Sequence, residues 1–529
     1  MKFRNKIKTV TNFILILFVG VYALQSCKQE NKAEDKVENK TESIIKIDST
    51  EIPQFFETYP ELEKYEEDYQ NIYKHYDFQA IWFDAKGMKN YTKSLYERVA
   101  DLEEEGIYAT FPYQEKVKEI YEENIKNPED DIEAELLMNG LYVFYLEHVY
   151  KGINDQTSKD LGWLLPRKHF EDTALLDSVI SEKKWEENDS LMVEQYYRMR
   201  DKLKHFRKIH EQGGWKKIEL SADQKKFKPE DSSAVIRQIR DRLYISGEIE
   251  NNNESEIYDE ELKEGIIKFQ KHHGFNEDAV ISAEHITALN IPVEDYIEKI
   301  VVNLERLRWV PTEINKVKEF IFVNIPAYHL DYYRDGEIIF DSDVVVGKIM
   351  TETVIFDGEM SYLAFSPYWN IPKSIIEKEI KPGMEKDENY LEKRNMEWNN
   401  GNVRQKPGKN NSLGLVKFMF PNENNIYLHD TPAKYLFQNE DRALSHGCIR
   451  VEKAKDLAET ILENDDKWNA EKIDEAMHKG KESTYELKNK IPVYIGYFTA
   501  WIDENDEMYF YKDIYKRDKK LADLLLFEK

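Results

Sequence analysis

Cysteine is nearly absent from this sequence: 529 residues hold only Cys27 and Cys448. Two cysteines cannot supply the disulfide framework on which small secreted domains depend. Glycine and proline are also scarce, 21 and 16 residues, while hydrophobic residues make up 41%. A fibrous or low-complexity chain is thereby excluded, and the length is that of a folded protein of two to four domains. Positive charge is in deficit, with 75 Lys and Arg against 102 Asp and Glu, a formal charge of −27. A phosphate backbone is held by clustered cations, so no nucleic-acid partner is expected. Long apolar runs are missing as well, apart from "FILILFVGVYAL" at 13–24.

That one run follows the basic start "MKFRNKIK" and precedes "LQSC". A basic segment, about a dozen apolar residues and a small-residue boundary read as an export signal. The run is short of the roughly 20 residues of a spanning helix, although an uncleaved N-terminal anchor is the alternative. Leu24-Gln25-Ser26-Cys27 resembles a bacterial lipobox, which implies a signal peptide over 1–26, lipidation of Cys27, and an exported, periplasmic chain anchored to a membrane. Residues 27–50 are polar, charged and free of aromatics, and read as a flexible tether. With Cys27 used in this way, Cys448 has no partner and is either an inert buried thiol or a chemically employed one.

Apolar residues at three- and four-residue steps predict a helical domain over 51–229, whose many Tyr and Phe suit core packing better than a glycan platform. A small three-helix module follows in 230–300, with Ser232 and Ser233 before the first helix, a turn at Gly274 and Pro292 closing the third. His272 and His273 fall at a helix end, where cations complement the macrodipole. After "NLERLRWVP" at 303–311 the pattern changes to alternation, with a hairpin at Asp335-Gly336 and another turn at Asp503–Asp506. This predicts a mostly β domain over 301–500 and a C-terminal hairpin strand and tail over 501–529. Residues 373–414 are charged and irregular, and interrupt the strands as a candidate lid.

Cys448 lies in "ALSHGCIRVEKA". The helical spacing after it predicts a thiol near a helix N-terminus, where partial positive charge lowers its pKa. Gly447 lets a backbone approach closely, and N–H groups near Cys448 are candidates for holding an oxyanion. His446, two residues before it, and His429, at a strand end in "IYLHDTP", are the candidate bases. His429, His446 and Cys448 are also acceptable zinc ligands, but they lack a fourth ligand and paired spacings.

"YLHDTP" followed by "RALSHGCIRVEKAKDLA" resembles the signature of L,D-transpeptidases with a YkuD-type catalytic domain. Arg450, "FQAIWF", "GGW", "FQKHHGF", "NLERLRW", "VVVGK", "YWNIP" and "YFTAW" are similar to the larger YcbB-like subgroup. The resemblance implies an α+β multidomain fold: a helical scaffold, a peptidoglycan-binding-like module, and a YkuD-type domain with an inserted capping subdomain. It implies Cys448 as nucleophile and His429 as general base. Tyr427 would bind the substrate carbonyl or oxyanion, Ser445, His446 and Gly447 would shape the site, and Arg450 would organise substrate or loop. No metal or cofactor is implied. The reaction would be peptidoglycan cross-linking through a thioester, with donor and acceptor stem peptides as partners; hydrolysis of the same stems, or wall binding without catalysis, are the alternatives. Thr351-Glu352 replaces a common Thr-Pro, a change expected to alter only a turn. Asp278-Ala279 and Ser282 replace an Asp-Gly and a Gly, which makes the module's glycan binding questionable.

Overall fold

The computed structural model describes residues 45–123, 132–182, 185, 191–220 and 226–526. The leader, Cys27 and the tether up to residue 44 lie outside them. The expected tether is too long at its far end. Ile47 is buried in the main core, its N–H donates to the Phe78 carbonyl at 2.9 Å, and the Ala80 N–H donates to the Ile45 carbonyl at 2.9 Å.

The N-terminal domain is helical, built around the helix Ile132–Tyr145, which is buried on nearly every side. That helix carries a carboxylate into the core. Glu135 accepts the backbone N–H groups of Ile81 (2.6 Å), Trp82 (3.0 Å) and Phe83 (3.1 Å). The "FQAIWF" stretch is thus largely a loop folded around a buried acid, which satisfies amides that burial would otherwise leave unpaired. Burial pushes Glu135 up to about 7, against the lowering effect of those N–H groups and Lys89.

The three-helix module is present, with helices Ala234–Ser246, Glu260–His272 and Ala283–Leu289 around its own core. Ser233, Asp259 and Ser282 cap them through their side chains. Ala279 sits at φ +57, in the region glycine favours. His273 is half-buried at its helix end, where it bonds the Phe269 carbonyl and the Tyr296 hydroxyl, both at 2.9 Å. It docks the module onto the next helix, Val293–Trp309.

That helix corrects the expected boundary at 300/301, which falls in its middle. It is buried along most of its length because the charged residues of "NLERLRW" find partners. Glu305 accepts from the Ile153 N–H (2.7 Å) and the Trp309 indole (2.8 Å) and pairs with Arg308 (3.1 Å), while Arg306 pairs with Asp518 at 2.7 Å. Asp518 opens a C-terminal helix, Asp518–Leu526, where a tail was expected. The hairpin Ala500–Ile502 with Met508–Phe510 forms as predicted.

Eight strands of the nine-stranded C-terminal sheet form its ring: β1 Glu319–Asn324, β2 His329–Arg334, β3 Glu337–Gly347, β4 Phe356–Phe365, β5 Val416–Met419, β6 Leu428–His429, β7 Ile449–Val451 and β8 Ser483–Gly496. Their pairings close into a ring in the order β3-β7-β6-β5-β4-β8-β1-β2-β3. Closure is possible because β3 is long: its first half pairs with β2, and Val344–Val345 pair with β7. A short strand, Ala443–Ser445, runs parallel to the end of β3. The β2–β3 turn places Asp335 and Gly336 at φ +51 and +87, the conformation that a two-residue Asp-Gly hairpin requires. The helical domain and the strand ring share one continuous core.

The interruption at 373–414 is ordered rather than irregular. Helical segments between Lys373 and Lys393 pack on a three-stranded sheet of Trp369–Asn370, Met396–Asn399 and Asn402–Gln405. Ile371, Ile375, Ile376, Ile380, Met396 and Val403 form its separate core. Among the described residues, no helix is long and apolar enough to cross a membrane.

Candidate active site

Strand register assembles the site. β6 and β7 run parallel, with Leu428 opposite Ile449 and His429 opposite Arg450. β5 is antiparallel to β6, with Lys417 opposite His429 and Phe418 opposite Leu428. Because side chains alternate, Phe418, Leu428 and Ile449 point into the ring and are fully buried. Lys417, Tyr427, His429, Cys448 and Arg450 therefore share the other face. Tyr427 stands beside Cys448, and His429 is the sulfur's diagonal neighbour, a spacing of about 7–8 Å at the backbone that an imidazole can span.

Cys448 is not at a helix N-terminus. Strand β7 intervenes, and the next helix begins at Ala454; the helical spacing of "IRVEKAKDLA" concealed a three-residue strand. Burial pushes the thiol up, opposed by hydrogen bonds from the Tyr427 N–H and hydroxyl and by the charges of Lys417 and Arg450. Its Sγ lies 3.7 Å from the Asn425 carbonyl oxygen. The resting sulfur is accordingly a protonated thiol.

His429 is buried, with Nδ1 2.5 Å from the carbonyl oxygen of Asp430. A carbonyl only accepts, so Nδ1 carries the hydrogen and Nε2 the lone pair. Burial, and then the Arg450 charge, push the ring down to about 3. It is a neutral imidazole with one basic nitrogen. The Tyr427 and His429 rings lie 5.7 Å apart, and the Lys417 ammonium sits 3.8 Å from the Tyr427 ring centre.

His446 is exposed and turned away from the sulfur, its Nε2 3.2 Å from Glu379 of the inserted subdomain. The three zinc-ligand candidates therefore do not converge. Ser445 is buried and shapes the loop: its Oγ donates to the Cys448 carbonyl (2.6 Å) and accepts from the Gly447 N–H (3.1 Å). That N–H is consequently taken, as is the Ile449 N–H, which donates to the Tyr427 carbonyl at 3.1 Å. Gly447 has φ +113, outside the range comfortable for other residues.

Sequence reasoning missed the residues that hold this loop from behind. Thr351 Oγ1 donates to the Ser445 carbonyl at 3.1 Å. Thr353 Oγ1 donates to the Gly447 carbonyl (2.8 Å) and accepts from the Gly347 N–H (2.9 Å). The Tyr515 phenol accepts from the Thr353 N–H (3.1 Å) and donates to the Gly347 carbonyl (2.5 Å). Glu352 does more than alter a turn. It pairs with Arg517 at 2.8 Å, and the same guanidinium donates to the carbonyls of Leu161 and Gly162 in the helical domain at 3.3 Å. Thr351 and Thr353 carried no sequence signal beyond following a strand, and Tyr515 lies far along the chain. Two cavities of about 640 and 470 Å³ flank Tyr296 and Phe510, and neither is lined by these site residues.

A family model described as the L,D-transpeptidase catalytic domain, YkuD, matches residues 318–495, and one described as a Scaffold domain matches 67–203. A Haemophilus influenzae protein described as "Putative L,D-transpeptidase" is 36% identical over 245 residues, 42% of this chain and 49% of its own. The chain thus spans about half the length of that curated relative. Among solved structures, the L,D-transpeptidase of Stackebrandtia nassauensis is 14% identical over 51% of this chain and 97% of its own, with a TM-score of 0.22. That of Mycobacterium smegmatis is 15% identical over 34% and 58%, with a TM-score of 0.19. The two family matches and the curated relative agree that this chain carries a YkuD-family L,D-transpeptidase catalytic domain joined to a Scaffold domain.

Proposed function

We propose that this protein cross-links peptidoglycan stem peptides by acyl transfer through Cys448, giving 3→3 links. The observation that carries the reading is the pairing of β6 with β7. It sets a protonated thiol and a neutral imidazole, oriented by the Asp430 carbonyl, on one face. In the first half-reaction, Nε2 of His429 takes the thiol proton as Sγ attacks the carbonyl of the stem's third residue. The Tyr427 hydroxyl and the Cys448 N–H are the donors for the developing oxyanion. The C–N bond then breaks, and the terminal D-Ala leaves with the proton that His429 holds. In the second, the side-chain amine of another stem attacks the thioester, loses a proton to His429, and Cys448 regains its thiol. One amide is broken and one formed, so no energy source is needed.

The inserted subdomain supports transfer over hydrolysis. It has its own core and reaches the site loop through Glu379 and His446, a placement suited to excluding water while the thioester waits. Export and anchoring through a lipidated Cys27 remain part of the proposal and rest on the sequence of the leader.

The test is the intact mass of the full chain after mixing with a disaccharide-tetrapeptide, beside Cys448→Ala. Acyl transfer predicts an adduct on the wild type alone and a dimeric muropeptide. An adduct that yields tripeptide without dimer would make the enzyme a hydrolase. No adduct would remove the acyl-transfer reading.

A further inference from the structure

Two cations on the site face are held without an ion pair to a carboxylate among the described residues. Lys417 stands over the Tyr427 ring, and its electrostatic neighbours are the Cys448 sulfur and, more weakly, Glu482. Arg450 has the Tyr435 phenol and the same sulfur as its neighbours, and its buried Nε has no hydrogen-bond partner. Among the described residues neither side chain forms an ion pair. Two carboxylates of this region have other partners. Asp430 accepts the Leu415 N–H and pairs with Lys434, both at 2.9 Å, and Glu482 accepts the Tyr368 N–H at 2.7 Å.

This is unexpected in a chain with 27 more acids than bases, where a cation without a carboxylate is easily avoided. Partial burial disfavours the charge on both residues, and a charge that gives up water without a partner is a cost that folding alone does not repay. The register shows what the arrangement serves. Lys417, His429 and Arg450 form one row across three neighbouring strands. With strands about 4.8 Å apart, the two cations stand roughly 10 Å apart at the backbone, on either side of the base. Cys448 lies off that row, two residues before Arg450 on its own strand and level with Tyr427. Both cations act on its sulfur, so an acyl group held there would lie within reach of their charge.

We propose that Lys417 is a specificity-determining residue that binds a carboxylate of the acyl donor, and that with Arg450 it confines the site to donors bearing anionic groups beside the attacked carbonyl. The inference rests on the acyl-transfer reading above. A carboxylate supplied by the substrate forms with the Lys417 ammonium a charge-assisted bond in a partly desolvated setting, where such bonds are strong. The Tyr427 ring beneath the ammonium fixes its position, so the hydroxyl and the cation act from one rigid unit. A donor with an amide at the same place brings no charge and leaves the ammonium unanswered.

The test compares a tetrapeptide donor having free carboxylates with versions in which each carboxylate is amidated in turn, using the full chain, Lys417→Met and Lys417→Arg. In the wild type, one amidated donor is expected to lose at least about tenfold in kcat/KM, mainly through KM. Lys417→Met is expected to abolish that difference, bringing the ratio of kcat/KM between the free acid and the amide to within about twofold of one whatever its effect on the common rate, while Lys417→Arg keeps the preference. Equal losses by Lys417→Met on every donor, or a wild type indifferent to amidation, would overturn the proposal. A wild type that acylates with no donor would instead remove the acyl-transfer reading and this inference with it. Melting curves of both variants separate these results from misfolding.

Discussion

Thr353 donates a 2.8 Å hydrogen bond from Oγ1 to the carbonyl of Gly447, the residue directly before the thiol. Through the Tyr515 phenol, the same threonine is tied to a segment beyond the end of the family match. The position of the sulfur is therefore set partly by the C-terminal tail. Thr353→Val and Tyr515→Phe should each lower the acylation rate about tenfold while KM stays within twofold, since small displacements of a nucleophile are costly. Each removes a buried partner, and chemical denaturation should show a loss of about 1–3 kcal/mol. Unchanged single-turnover acylation in both variants would show that the loop holds its shape without the tail.

The base should work well below the usual histidine range. With the His429 ring held down to about 3, the lone pair on Nε2 is present throughout mildly acidic conditions. The profile of kcat/KM should then show no protonation limb near 6.5, and should stay level between about pH 5 and 7. Stability should respond in the same window. Between the folded and unfolded values the unfolded chain binds a proton that the native chain does not, so stability rises with pH there. His429→Asn should flatten that rise in denaturation curves and reduce turnover by about 10²–10⁴-fold.

The thiol should be sluggish towards simple electrophiles. Burial holds it above the ordinary thiol range, so alkylation by iodoacetamide should reach half its limiting rate only at a pH above that range. Tyr427→Phe removes a group that stabilises the thiolate, and should slow alkylation further at pH 8. Faster alkylation in that variant would mean that the hydroxyl acts mainly as a barrier.

Two glycines of the site should fail for different reasons. A Cβ on Gly347 would lie 2.1 Å from the Thr351 carbonyl oxygen and 2.7 Å from the Thr353 nitrogen. Gly347→Ala must therefore push away the loop that carries Thr353, and should lose both stability and acylation. A Cβ on Gly447 meets nothing closer than 3.7 Å, but its φ is +113. Gly447→Ala should cost about 1–3 kcal/mol of backbone strain and little by collision. Thermal unfolding with acylation kinetics distinguishes the two.

The parts of the fold that were legible in the sequence are those with a strong local signal. Asp335-Gly336 announced its hairpin, the caps and apolar spacing announced the module, and "SHGC" with an upstream histidine announced the family model that matches residues 318–495. What escaped has physical reasons. Cys448 was placed at a helix N-terminus because Ile449–Val451 is too short to register as alternation. The inserted subdomain looked irregular because its strands are four residues or fewer, and its core draws on residues scattered from Ile371 to Val403. Lys417 reaches the site through cross-strand register, and Tyr515 through a tail that only tertiary structure brings back. Neither spacing nor composition encodes such partners.

Closing the strands into a ring also decides how a peptide can be gripped. A sheet with open edges offers a ladder of unpaired backbone groups, and an extended chain can be captured there by adding itself as one more strand. A closed ring withdraws that option from its eight strands, leaving as a short margin Ala443–Ser445, which pairs with β3, exposes Leu444 and leads straight to Cys448. Capture here must depend on side chains presented from the outer face and on a brief backbone contact next to the thiol. On the acyl-transfer reading, donors would thus be discriminated by what they carry rather than by their ability to lie extended.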